Sequence, residues 1–300
     1  MQKGERMADA HRGLAHPRRV VPISAIHFTF GGRCFTVRLF HAHEQTEERK
    51  NMGNLLESIT TGRQPQPPRL MIYGSEGVGK STFAASAPKP VFIQTEDGLS
   101  EIDTAKFPLC ATYAEVVEQL KAVRDGEHDF QTLCIDSLDW LERLISDRVC
   151  QDYGVKSIEK ADGGYGKGYT HALTYWREIV KLLNEIRTKR QMAVILVAHA
   201  KVERFEDPEH PAYDRYQPRL HKSANSLICE WADAVLFATR RMRIDSTTGK
   251  AAPVGADGGE RVIRTNGSPA FNAKNRYSLP TEMALSWASF MDGMKVGSKK

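Results

Sequence analysis

Gly74, Ser75, Glu76, Gly77, Val78, Gly79, Lys80 and Ser81 fit the spacing G-x-x-x-x-G-K-[ST]. That spacing is the signature of a phosphate-binding loop. Glycines let a backbone wrap a polyphosphate and turn successive N–H groups inward. A helix starting at the loop adds its N-terminal partial positive charge. Lys80 supplies a point charge for the β- and γ-phosphates, the Ser81 hydroxyl is a ligand for Mg²⁺, and Thr82 continues the cradle. Leu70–Tyr73 before the loop reads as a buried strand, and 82–87 after it as a helix, which is the setting such a loop needs.

A phosphate loop also needs an acidic residue near the metal. Asp136 follows the apolar run Leu133-Cys134-Ile135, as a metal-supporting aspartate should. The competing role is a helix cap, which Ser137 could equally fill. Hydrolysis needs a group to orient water. Glu96 ends the second strand and is the expected general base, with Asp97 as its competitor. His199 ends the apolar run Leu196-Val197-Ala198 and is expected to sense the γ-phosphate. The chain has no N-K-x-D or T-K-x-D segment, no L-S-G-G-Q segment and no H-R-D or D-F-G set. A guanine-specific GTPase, an ABC ATPase and a protein kinase are thereby disfavoured.

These residues must be positioned by a parallel sheet, because only there do several strand ends meet at one ligand. The chain alternates accordingly. Strands are expected at 91–94, 133–135, 193–197 and 234–237, with helices at 113–123, 138–149, 169–190 and 223–231. Strands also fit 261–265 and 271–277, separated from the rest by a loop at 247–260. Polar loops are expected at 153–168 and 201–222, and fraying after Ser286. Beta–alpha alternation implies an α/β fold, a mostly parallel central sheet with helices on both faces.

At 41% hydrophobic and 26% charged, the 300 residues have an ordinary globular composition. No apolar run approaches the about 18 residues of a membrane helix. The five cysteines include no C-x-x-C pair, so neither a zinc site nor a disulfide framework is indicated. The net charge of +5 is uneven: residues 1–51 carry nine Lys/Arg against five Asp/Glu, and the rest 33 against 32. Residues 1–51 also hold five of the ten His. They are expected to be a disordered extension or the product of a misassigned start, with Met52 the initiator. Within them, 23–40 could form a hairpin around Gly31 and Gly32. A core at 52–282 and a tail at 283–300 follow.

Taken together, the chain resembles a RecA-like P-loop NTPase. More narrowly, it resembles the phage and prophage RecA-core group linked to single-strand annealing (Sak-type). The carriers are the lead-in P-P-R-L-M-I-Y to the phosphate loop, I-Q-T-E-D-G (93–98), Y-G-K-G-Y (165–169), V-A-H-A-K (197–201), R-F-E-D-P (204–208), Y-D-R-Y (213–216) and W-A-D-A-V-L-F (231–237). The resemblance implies ATP with Mg²⁺, and Glu96 as the water-activating base. It gives His199 the coupling of nucleotide state to a DNA-binding loop, and implies self-association in a ring or filament. It also implies a cation pair that reaches a neighbour's nucleotide, which Lys274 and Arg276 match. Single-stranded DNA is the implied partner and a bacterial or phage-infected cytoplasm the implied setting. The two polar loops suit that partner: basic side chains track phosphates and rings stack bases. The candidates are Lys156, Tyr165, Lys167 and Tyr169 in one, and Arg204, Arg215, Tyr216 and Lys222 in the other. The chain lacks the accessory DNA domains of bacterial RecA, so strand exchange is not implied. Two other functions remain open: a nucleotide-switched protein-binding module without turnover, and a small-molecule kinase.

Overall fold

The computed structural model describes residues 25–30, 33–38, 56–208, 211–244, 251–255 and 259–297. The chain divides into two compact units, Met1–Gln64 and Pro65–Lys300. In the first, β1 (Ala25–Phe30) and β2 (Arg33–Arg38) pair antiparallel with Phe28 opposite Phe35, the hairpin expected there. Met52, the expected initiator, lies outside the described residues.

The second unit is built on β3 (Arg69–Gly74), α1 (Lys80–Ala85), β4 (Pro90–Gln94), β5 (Ala105–Lys106), α2 (Tyr113–Asp125), β6 (Thr132–Asp136) and α3 (Leu138–Asp152). A 3-10 turn at Ile158–Gly163 leads into α4 (Lys167–Arg190), β7 (Ala193–Phe205), β8 (Tyr213–Pro218), α5 (Lys222–Trp231) and β9 (Ala234–Arg240). The remainder is β10 (Met242–Ile244), β11 (Ala251–Pro253), β12 (Arg261–Arg264), β13 (Lys274–Asn275), β14 (Glu282–Ala284) and α6 (Trp287–Gly297).

The sheet runs β14-β12-β9-β3-β7-β6-β4-β5. From β9 to β5 every pairing is parallel, while β12, β13 and β14 join antiparallel. This is the expected α/β P-loop NTPase fold. Its strands are buried on both sides, and successive residues feed opposite cores. Met71 and Tyr73 pack with α2, α3, α4 and α5. Leu70 and Ile72 pack with α1 and α6. Helix α2 shows the local logic. Val116, Val117, Leu120 and Val123 share its buried stripe, and Thr112 caps it by accepting from the Glu115 N–H at 3.3 Å.

Three segments differ from expectation. Residues 201–222 are not a simple loop. Strand β7 continues to Phe205 and returns as β8, placing Val202 opposite Tyr216 and Glu203 opposite Arg215. This hairpin has no fully buried face, so its sequence carries little of the apolar alternation that marks a strand. Between 271 and 277 only Lys274 and Asn275 form a strand, paired with Val235 and Ala234, while Phe271 makes isolated bridges to Tyr216 and Ser268. The segment after Ser286 is not frayed but forms α6, whose Trp287 and Phe290 meet Phe83 with ring centroids 5.8 and 6.4 Å away. Trp287, Phe290, Met291 and Met294 fall at helical spacing, which is the physical reason for that docking.

Phe83 sits one turn beyond Lys80, so α6 buttresses the helix that follows the phosphate loop. Phe290 is fully buried. Phe290→Ala is expected to lower unfolding stability by about 3–5 kcal/mol. Denaturant titration checks this, and an unshifted midpoint would mean α6 does not dock.

Candidate active site

The register of the sheet brings the chemistry to one edge. Gly74 ends β3 beside His199 on β7 and Ala238 on β9. Asp136 ends β6 beside Val197, and Gln94 ends β4 beside Asp136, placing Glu96 just past the same edge. These carboxyl ends border a cleft of about 360 Å³ lined by Gly79, Lys80, Ser81, Asp136, Glu96 and His199, among others. Two larger clefts, about 580 and 570 Å³, contain none of the phosphate-loop residues. Size alone therefore does not pick out the site; the donor set does.

The loop is shaped by its glycines at two points. A Cβ on Gly74 would run into the Ala238 carbonyl of the adjacent strand. Gly79 has φ of 106°, a left-handed conformation that a side chain disfavours. Lys80 is 5% exposed, and its Nζ donates to the carbonyls of Gly74 at 3.1 Å and Ser75 at 2.9 Å. Burial pulls its pKa down, while Asp136 and its acidic neighbours pull it up. Burial pushes the Asp136 carboxyl up, partly offset by a hydrogen bond from Ser81. A hydroxyl and a buried carboxylate side by side form a hard-oxygen donor pair that suits Mg²⁺, which keeps waters and takes its other ligands from phosphate.

Ser137 does not cap α3 with its side chain. Its Oγ instead donates to Glu96 Oε2 at 2.8 Å and so orients that carboxylate. His199 is held by Asp139, a residue with no signal of its own in the sequence. Asp139 Oδ1 accepts from the His199 backbone N–H at 3.0 Å, and the carboxylate meets Nδ1 at 3.0 and 3.2 Å. That hydrogen bond raises the His199 pKa against the opposing effect of burial. Burial pushes the Asp139 carboxyl up, but the His199 hydrogen bonds outweigh it and hold it below the usual range. Glu96, Asp139 and His199 bring ligand atoms within 4.8 Å of one another. The Asp139–Nδ1 hydrogen bond accounts for that proximity without an ion.

Two arginines join this edge unannounced. Arg219 Nη2 donates to Glu76 Oε1 at 2.8 Å, while its backbone N–H donates to the His199 carbonyl at 2.8 Å. Arg261 lines the cleft from β12. Neither has a motif around it: Arg219 follows β8 and Arg261 starts β12, and each reaches the site only through the folding of the sheet.

Lys274 and Arg276 lie at the opposite edge. Lys274 Nζ donates to the carbonyls of Cys229, Glu230 and Ala232 at 2.9, 2.7 and 2.7 Å and closes the end of α5. Arg276 lies 3.4 Å from Asp233, which also holds Arg69 at 2.6 Å. The DNA-binding candidates are dispersed. Lys156 borders the cleft of about 580 Å³. Tyr165 is fully exposed, and Lys167 Nζ donates to the Asp162 carbonyl at 3.1 Å. Tyr169 stacks on His221 with centroids 4.0 Å apart. Arg204, Arg215 and Tyr216 share the β7–β8 hairpin, with Arg215 over the Phe205 ring and Tyr216 stacked on Phe237. Lys222 begins α5 and borders the cleft of about 570 Å³ with Lys201. Among the described residues, no helix is long and apolar enough to cross a membrane.

A family model described as "AAA domain" matches residues 66–277. The SPbeta prophage-derived uncharacterized protein YorG of Bacillus subtilis (strain 168) is 28% identical over 172 residues, 56% of this chain and 49% of that protein. The chain thus spans about half the length of that curated relative. Among solved structures, the RadB recombinase is 13% identical, with a TM-score of 0.37, covering 72% of this chain and 86% of that one.

The raised His199 pKa has a defined pH consequence. Its stabilising contribution is complete below the ordinary value of 6.5 and is lost as pH rises through the folded value. In Asp139→Asn the ring should titrate lower and this decline should vanish, as read by NMR titration of the imidazole. Unchanged titration would show that Asp139 does not hold the proton.

Proposed function

This chain belongs to the AAA-domain family through residues 66–277, and we propose that it binds ATP with Mg²⁺ and hydrolyses it, with single-stranded DNA as its macromolecular partner. One observation carries the ATPase reading. Lys80, the Ser81–Asp136 pair and the Ser137-oriented Glu96 converge on one cleft.

The roles follow from the geometry. The carbonyls of Gly74 and Ser75 occupy the Lys80 ammonium as phosphate oxygens would. On nucleotide binding Lys80 exchanges them for the β- and γ-phosphates. Ser81 and Asp136 would hold Mg²⁺, which would supply charge neutralisation to those phosphates when bound. Glu96, fixed by Ser137, orients the attacking water and takes its proton. His199, whose pKa the Asp139 hydrogen bond raises, reports on charge at the cleft. Since β7 runs unbroken from His199 into the β7–β8 hairpin, and Arg219 ties Glu76 to the base of that hairpin, a shift at the phosphates is felt by Arg204, Arg215 and Tyr216. Those side chains combine positive charge with an exposed ring, the chemistry of sequence-tolerant single-strand binding.

The name of the relative YorG places that protein in a prophage, and a phage or bacterial cytoplasmic setting with a role in annealing or recombination fits this chain. Self-association belongs to the same proposal. Arg276 has a half-exposed side chain at the edge away from its own phosphate loop, where a neighbouring copy could meet it. Lys274 would first have to release three carbonyls. A second function is favoured by one observation: Val202 and Tyr216 are paired and exposed on the hairpin, an apolar patch suited to a protein partner of a nucleotide switch.

Phosphate release with and without single-stranded DNA separates these. Turnover is expected in wild type, and Glu96→Gln should lower kcat by about 10²- to 10⁴-fold while keeping nucleotide binding. Lys80→Ala should lose nucleotide affinity. Background phosphate release in both conditions would favour the switch. Absence of a low-salt gel shift, with or without ATP, would remove DNA from the proposal.

A further inference from the structure

Almost every charged side chain lining the cleft already has a partner in the chain. Glu76 pairs with Arg219, Lys80 with two carbonyls, Asp136 with Ser81, Glu96 with Ser137 and His199 with Asp139. Arg261 is the exception. Its guanidinium makes no hydrogen bond or ion pair among the described residues, although it faces a cleft that contains carboxylates. It also lies hard against the phosphate loop. A Cβ on Gly79 would sit 3.2 Å from its Nη1 and 3.8 Å from its Cδ. The missing side chain at Gly79 therefore leaves room for a cation beside the residue preceding Lys80. The position is held by backbone bonds, because Arg261 pairs with Arg240 of β9 and its carbonyl accepts from the Leu285 N–H at 3.0 Å.

We propose that Arg261 is a same-chain ligand of the α- and β-phosphates of the bound nucleotide, an inference that rests on the ATP-binding function above. The strand order decides which phosphates. Asp136 ends β6 and Glu96 follows β4, on one flank of β3, and Arg261 lies on β12, on the other. Ser81 and Asp136 would hold Mg²⁺ from the β6 flank, where it would neutralise charge at the terminal phosphates. A cation from the β12 flank, lying over Gly79, meets the other side of the chain of phosphates. A guanidinium suits that place because its planar fork gives two parallel hydrogen bonds to phosphate oxygens and cannot be deprotonated. With Lys80 at the β- and γ-phosphates, the charge of the triphosphate is then shared between two cations of one subunit, and nucleoside diphosphate is retained after hydrolysis.

Equilibrium binding of fluorescent ADP and ATP to wild type, Arg261→Ala and Arg261→Lys tests this. Wild type should bind both. Arg261→Ala should weaken both to a similar degree, by about ten- to a hundredfold, the loss of one or two charge-assisted hydrogen bonds. Arg261→Lys should recover part of it. In turnover, KM should rise more than kcat falls, as for an interaction made equally in the ground and transition states. Equal affinities for wild type and Arg261→Ala would overturn the proposal. So would a loss confined to ATP with a lowered kcat, which would place Arg261 at the γ-phosphate. If Arg261→Ala does not fold, Arg261→Gln is measured in its place with the same outcomes. Failure of wild type to bind either nucleotide would overturn the ATP-binding function itself, and Arg261's role with it.

Discussion

A lysine ammonium is costly to bury unless hydrogen bonds and opposite charge replace its water. The architecture of this protein is arranged around one that is buried, Lys80. Two loop carbonyls accept its protons, and Asp136, Asp139, Glu76 and Glu96 raise its affinity for the proton that burial would remove. Those partners come from the phosphate loop, β6, α3 and the segment after β4. No local stretch of chain could assemble them. The parallel sheet does so by ending its strands at a common edge, and its two apolar cores hold that register.

The same edge is a set of paired polar groups rather than a collection of free ones. Ser137 orients Glu96, Asp139 orients His199, and Arg219 holds Glu76. Paired groups keep one geometry and need little rearrangement when charge changes beside them. Two of the pairs, at Glu76 and His199, converge on Arg219 and the start of the β7–β8 hairpin. The phosphate loop and the hairpin that carries Arg204, Arg215 and Tyr216 are therefore mechanically continuous. At the far side of α1, Phe83 against Trp287 and Phe290 anchors the loop to the C-terminal helix. The phosphate loop is thus braced from both ends.

Sequence alone made much of this legible. The phosphate loop, Asp136, the parallel core and the helices from α2 to α5 all announce themselves, since each depends on residues close together in the chain. Glu96 and His199 could be placed at the right edge for the same reason: each follows a readable apolar strand. The hairpin at 201–222 was less legible because it lacks a fully buried face and so prints little hydrophobic period. The C-terminal helix carries its period in Trp287, Phe290, Met291 and Met294, but its partner Phe83 lies some two hundred residues earlier.

Chain chemistry by itself thus determined which residues form the phosphate-loop signature and which strands form the scaffold, because loop spacing and apolar runs are local. Tertiary structure decided the rest. It turned Asp139 into the partner of His199, gave Ser137 to Glu96 rather than to a helix cap, and brought Arg219 and Arg261 to the phosphate loop. It also committed Lys274 to closing a helix at the opposite edge. Each of those outcomes depends on strand order and register across the sheet, and a hydrogen bond between residues about forty or more positions apart leaves no mark on the residues around either partner.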